Sequence, residues 1–144
     1  MPTTQNIKNH RRFFPLHHFF VAPVLAINFF MQVRKFLDNM TFDTGWTALV
    51  AAALLGLGFA ARMQALMVQN RLIRLEERLR LSRLMPASEQ AGIDRLATRQ
   101  LVGLRFASDE EVVDLARRAM SGELTTAKAV KEQVKNWRPD YLRA

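Results

Sequence analysis

Two long stretches without charge decide most of what this chain can become. Phe13 to Val33 runs for 21 residues without Asp, Glu, Lys or Arg, and Gly45 to Ala61 does so for 17. A 21-residue helix rises about 31 Å, close to the hydrocarbon thickness of a bilayer. A single water-soluble domain would need charges on these segments, so that class is disfavoured. The mean hydropathy is near zero only because the charges crowd into the remainder. The chain has 144 residues, 21 Lys or Arg against 13 Asp or Glu, and a net charge of +8. It has no cysteine, which removes disulfides, thiolate metal sites and cysteine nucleophiles.

Reading outward from these stretches gives six segments. Residues 1–12 form a basic arm with Lys8, Arg11 and Arg12 and no acid, and 13–33 form a first transmembrane helix. Pro15, His17, His18, Pro23 and Asn28 make that span imperfect, although proline is tolerated where neighbours satisfy the freed carbonyl. Arg34, Lys35 and Phe36 follow instead of a small-x-small cleavage site, so the segment reads as a retained anchor. Residues 34–44 read as a short interfacial link on the non-cytoplasmic side, and 45–61 as a second transmembrane helix with Trp46 in the aromatic belt. Lys and Arg concentrate in the arm and after Ala61, which points both termini towards the cytoplasm.

Residues 62–85 lack Gly and Pro and are expected to prolong the second helix into the cytoplasm until Pro86 breaks it. Along this extension Val68, Leu72, Leu75 and Leu79 recur at spacings of 4, 3 and 4, a short coiled-coil-like stripe. Residues 86–144 read as a small helical domain. Thr98 is placed to cap one helix, Ser108 and Glu111 to form a capping box at the next, and Gly122 to end it. Thr125 or Thr126 is placed to start the last. The expected core is Ile93, Leu96, Leu101, Leu104, Phe106, Val112, Val113, Leu115, Ala116, Val130, Val134 and Trp137. The fold class is therefore an all-α membrane protein: a two-helix transmembrane hairpin, an extended second helix and a small bundle.

Three tail motifs stand out: RLEERLRL at Arg74–Leu81, LRFASDEEV at Leu104–Val112, and KNW-x-x-D-x-L-R at Lys135–Arg143. With NHRR at Asn9–Arg12, Pro15 and His17, they resemble a family of small two-span bacterial inner-membrane proteins classified only as a domain of unknown function. The resemblance covers nearly the whole chain and implies the architecture and a bacterial inner membrane. It carries over no catalytic or binding residue. His18, Pro23 and Asn28 depart from that family's cleaner first span.

In the second span Thr44, Ala48, Ala52, Gly56 and Ala60 repeat at strict i+4 spacing, a small-residue face where another helix can approach closely. That helix is either the first span, through Ala22 and Ala26, or a partner. His17 and His18 lie near the cytoplasmic end of the first span. Headgroup-level anchoring accounts for them, and axial ligation of haem or a pigment is the alternative. Arg11, Arg12, Arg62, Arg71 and Arg74 suit anionic lipid headgroups. Nucleic acid is disfavoured, since residues 62–144 mix 16 basic with 11 acidic side chains and lack an aromatic stacking platform.

No phosphate loop, nucleophile elbow or H-E-x-x-H is present, and no histidine follows His18. Asp109, Glu110, Glu111 and Asp114 are accounted for by helix-dipole complementarity rather than a cation site, so no metal is expected. The expectation is a non-catalytic accessory subunit or scaffold without cofactor. It would bind another membrane complex or itself through the stripe leucines and Trp137. The alternatives are a component of an oligomeric transporter and the haem- or pigment-binding subunit.

Overall fold

A computed structural model describes residues 5–7 and 14–141. These residues are helical apart from turns and one isolated β-bridge, Ala107 with Trp137. A π-helical turn, Leu16–Val21, leads into α1 (Ala22–Asp38). Then come α2 (Phe42–Leu84), a 3-10 segment (Gln90–Arg95), α3 (Thr98–Leu104), α4 (Asp109–Met120) and α5 (Ala127–Gln133). The chain divides into two compact units, one of residues 14–66 and one of residues 67–141 with the segment around Gln5, the boundary lying within α2.

In the first unit two helices are long and apolar enough to cross a membrane, Leu16–Asp38 and Phe42–Leu84. The π turn has a cause in the sequence. Pro23 cannot donate to the carbonyl four residues back and its ring crowds it, so the preceding turn widens, with the Ala22 N–H reaching His17 O. Only residues 39–41 separate α1 from α2, so the link expected over 34–44 is mostly helix. Thr41 and Thr44 close that gap reciprocally. The Thr41 N–H donates to Thr44 Oγ1 at 3.1 Å and the Thr44 N–H to Thr41 Oγ1 at 3.3 Å, while the Thr44 hydroxyl donates to Asn39 O at 2.6 Å.

The helices touch at two glycines. A Cβ on Gly45 would lie 3.2 Å from Phe36 Cε2, and one on Gly58 would lie 3.1 Å from Leu25 Cδ1. Between them Ala51 is buried, and Asn28, hydrogen-bonded to Gln32 at 3.4 Å, faces a cavity of about 320 Å³ walled by Trp46, Thr47 and Val50.

The second unit is built on the end of α2. Ile73, Glu77 and Leu81 are buried there one turn apart, followed by Met85 just past the helix, and Leu81 and Met85 join a core with Ile93, Leu96, Leu101, Leu104, Val112, Leu115, Ala116, Val130 and Val134. Phe106 is buried as well, with Val113 and Trp137 partly so. Every residue expected in this core is there.

Polar detail fixes how the short helices meet. Buried Gln100 takes the Ala97 N–H on its Oε1 at 2.7 Å and donates from Nε2 to the carbonyls of Ala119 and Leu124, both at 2.9 Å. One amide thereby caps α3 and holds it to the end of α4. Thr98 is the first residue of α3, not its cap. The α4 terminus is a Schellman turn: the Gly122 N–H reaches Ala119 O, the Glu123 N–H reaches Arg118 O, and Gly122 takes φ +88°. Thr126 caps α5 by accepting from the Ala129 N–H at 3.0 Å.

α3 and α5 approach closely at Gly103, where a Cβ would lie 2.8 Å from Val130 Cβ and 3.1 Å from Ala127 O. Neither neighbour can yield easily, being a branched carbon and backbone. Gly103→Ala is expected to destabilise the protein by about 1–3 kcal/mol through overpacking. Thermal unfolding of the full chain in detergent measures it, and an unchanged midpoint would contradict the packing.

Candidate functional site

The richest cluster of chemistry lies in the second unit, in an open cleft of about 770 Å³. It starts from a carboxylate in an apolar row. Glu77 sits between Ile73 and Leu81 on the buried side of α2 and is only 4% exposed. A buried charge needs partners, and this one has two cations. Arg80, one turn on, approaches Glu77 Oε2 at 3.2 Å, and Arg138 of the tail lies 3.8 Å from Oε1.

Arg80 binds further than Glu77. Its Nε donates to Asp109 Oδ1 at 2.7 Å, at the start of α4, and its Nη2 donates to Ala107 O at 2.8 Å. One guanidinium thus joins α2, the turn before α4 and the first residue of α4.

The tail is clasped to the same turn. The Ser108 N–H donates to Asn136 O at 3.1 Å and the Arg138 N–H to Phe106 O at 2.8 Å, forming the β-bridge. Glu111 accepts from the N–H groups of Lys135 and Asn136 at 3.1 and 3.0 Å. The expected capping box is therefore absent: Glu111 serves the tail, and the buried Ser108 hydroxyl has no bond to the first turn of α4.

Trp137 packs on Phe106 at 4.9 Å between ring centres, with the Arg105 guanidinium 4.4 Å from the Phe106 centroid. Arg105, itself buried, pairs with Asp140 at 3.2 Å. Asp140 in turn receives the N-terminal segment, its N–H donating to Gln5 Oε1 at 2.7 Å and its carbonyl accepting from Gln5 Nε2 at 3.3 Å.

The three tail motifs, scattered over 70 residues of sequence, converge here. Arg74–Leu81 supplies Glu77 and Arg80; Leu104–Val112 supplies Arg105, Phe106, Asp109 and Glu111; Lys135–Arg143 supplies Trp137, Arg138 and Asp140. Trp137, expected at a partner contact, is half-buried with its ring against Phe106 and the core. Glu77, Arg105 and Asp140 do not stand out in the sequence, and Arg80, spaced to pair with Glu76 at i,i+4, pairs with Glu77 and Asp109 instead. A charged residue inside an apolar register, as at Glu77 and at Arg105 in LVGLRFA, is the signal that could have found them.

The remaining candidates are placed as follows. Val68, Leu72, Leu75 and Leu79 are 68, 54, 56 and 50% exposed. In the first unit Thr44 and Ala48 are half-buried, whereas Ala52, Gly56 and Ala60 are exposed. Within a single chain the row is thus covered only at its start. An i+4 row drifts about 40° per step, so the residues turned inward continue instead through Ala51, Leu55 and Gly58. Thr44 is also a capping residue.

His17 and His18 are half-buried with rings 5.2 Å apart, and His18 Nδ1 lies 3.0 Å from Phe14 O, a bond in which only the imidazole can donate. Arg62 is half-buried, and Arg71 and Arg74 are exposed. Arg11 and Arg12 lie outside the described residues. Among the described residues no cluster of three or more His, Asp or Glu is placed to hold a metal ion.

Burial pushes the Glu77 carboxyl above its ordinary range, opposed by Arg80 and Arg138 and reinforced by Glu76. A carboxyl that holds its proton more tightly when folded loses stability as pH rises from the ordinary carboxylate range through the raised value. The stability of the parent chain relative to Glu77→Gln is therefore expected to fall across that window, and a pH-independent difference would contradict it. Arg80→Met leaves the carboxylate without its nearer cation and is expected to cost about 3–5 kcal/mol. The exposed Arg74→Met should stay within about 0.5 kcal/mol. Denaturant unfolding at fixed pH separates the two.

No curated protein and no solved structure matches this chain. A family pattern does, over residues 1–144, and it covers every residue of the cleft as well as both apolar helices. The chain belongs to DUF6526, a family of unknown function.

Proposed function

We propose that the protein is a non-catalytic scaffold or accessory subunit of a bacterial inner membrane, anchored by a two-helix hairpin with both termini in the cytoplasm. The observation that carries this reading is the row Val68, Leu72, Leu75 and Leu79 on α2. Four large apolar side chains stay half or more exposed on a helix whose Ile73, Glu77 and Leu81 are buried. A surface of that kind marks a protein or membrane interaction site.

The anchor is supported by the two helices of sufficient length and apolarity and by their contacts at Gly45 and Gly58. The placement of the termini is supported by Gln5 and Asp140. Two hydrogen bonds between residues 5 and 140 require both to lie on one side of any bilayer that the intervening helices cross. The basic residues after Ala61 favour the cytoplasmic side. The cleft fits attachment better than chemistry, because Glu77, Arg80, Arg105, Asp109, Arg138 and Asp140 pair with one another and hold the tail.

Gentle extraction and native mass spectrometry test the reading. The protein is expected to resist carbonate washing of membranes and to appear in an assembly heavier than its own 16.5 kDa. A chain released by carbonate, or found only as a monomer, would sink it. Gly56→Leu and Gly58→Leu refine the test. A Cβ at Gly56 meets nothing within 4 Å, so the first leaves the chain's own packing intact and changes association only if that face meets a partner. The second drives against Leu25 and is expected to lower the thermal midpoint.

A further inference from the structure

We infer that the leucine face of α2 is covered by a second copy of this chain, parallel and in register. The inference deepens the scaffold reading and rests on it, because a shared membrane anchor is what makes two copies parallel.

The geometry begins with two opposed faces on one helix. At 100° per residue, the line through Val68, Leu72, Leu75 and Leu79 lies roughly opposite the line through Ile73, Glu77 and Leu81. The second line is buried within its own unit, and the first is exposed. The exposed spacing of 4, 3 and 4 is that of a heptad seam, with Leu72 and Leu79 at a and Val68 and Leu75 at d.

The flanks say which partner fits. In this register Arg71 occupies g and Glu76 the e position of the next heptad, the pair that meets across a parallel two-stranded seam. Two identical chains therefore place Arg71 of each against Glu76 of the other, twice by symmetry. Arg78, one heptad after Arg71, does not disturb the match. It is turned towards Asp94 of its own chain, 3.2 Å from the carboxylate and 3.1 Å from the carbonyl. An anionic lipid surface is a poorer occupant, since Glu76 on one flank is repelled by headgroups.

Two heptads fall short of the roughly 1,200–2,000 Å² of a stable soluble interface. Anchoring both copies in one bilayer fixes their direction and removes much of the translational and rotational cost of association. A short seam then suffices where it would not in free solution.

The chain has no cysteine, so single cysteines report the seam directly in membrane vesicles bearing the full-length protein. Leu72→Cys and Leu75→Cys are expected to oxidise to disulfide dimers at about twice 16.5 kDa, with at least tenfold higher yield than Arg74→Cys on the outer flank. On the Leu75→Cys background, Arg71→Glu should lower the yield roughly twofold, and adding Glu76→Arg should restore it. Equal yields at 72, 74 and 75, no dimer at any of them, or a foreign chain captured at 75 would overturn the inference. Carbonate washing of the same vesicles tells the two ideas apart. Protein that stays in the membrane without linking at 75 defeats only the dimer, whereas protein that washes off defeats the anchored scaffold as well.

Discussion

A carboxylate held away from water has to be answered by cations brought from elsewhere in the chain, and the second unit is arranged around that demand at Glu77. Arg80 comes from the same helix and Arg138 from the tail, more than 60 residues later. Meeting the demand has structural consequences. To reach Glu77, Arg80 lies where it also binds the Ala107 carbonyl and Asp109, and this fixes the start of α4. To bring Arg138 near, the tail pairs with the turn at Phe106 to Ser108, and Glu111 holds its backbone there. Ion pairs of this kind are weak sources of net stability, yet breaking one is costly, so they act chiefly to select one arrangement among several compact ones.

Much of the fold was legible from pattern alone. Charge-free runs located the apolar helices, absence of Gly and Pro carried α2 to Leu84, and Gly122 and Thr126 marked real helix ends. The twelve residues expected in the core all bury at least partly, because apolar residues at helical spacing in a short tail have few other places to go. Local rules failed where a distant segment outbid a near one. Ser108 and Glu111 have the spacing of a capping box, but the tail backbone offered Glu111 two N–H donors. Gln100, unremarkable in sequence, caps α3 because the carbonyls of Ala119 and Leu124 converge on its amide.

The candidate site was legible only in fragments. Its motifs were visible as strings, but their meeting was not, since nothing in RLEERLRL announces that Arg80 faces Ala107. On α2 the more hydrophobic row, Val68 to Leu79, is the exposed one, while the row that buries its side chains contains a glutamate. A hydrophobicity rule ranks these rows in the wrong order for the core, and that inversion is the reason the helix has an apolar face left over. In the first unit the small residues keep their i+4 spacing, and Ala52, Gly56 and Ala60 stay exposed within a single chain.

The paired hydrogen bonds between Gln5 and Asp140 set an order of events during synthesis. Residue 5 is made well before residue 140, so its acceptor and donor do not exist until Asp140 has been added. Throughout the synthesis of both apolar helices that particular latch is therefore open. Only when the tail has folded against Phe106 and Glu111 does the backbone of Asp140 become a fixed target. The latch thus depends on the tail, and a chain whose tail is damaged or misfolded lacks these two bonds. The state of Gln5 thus reports whether the tail around Asp140 has folded.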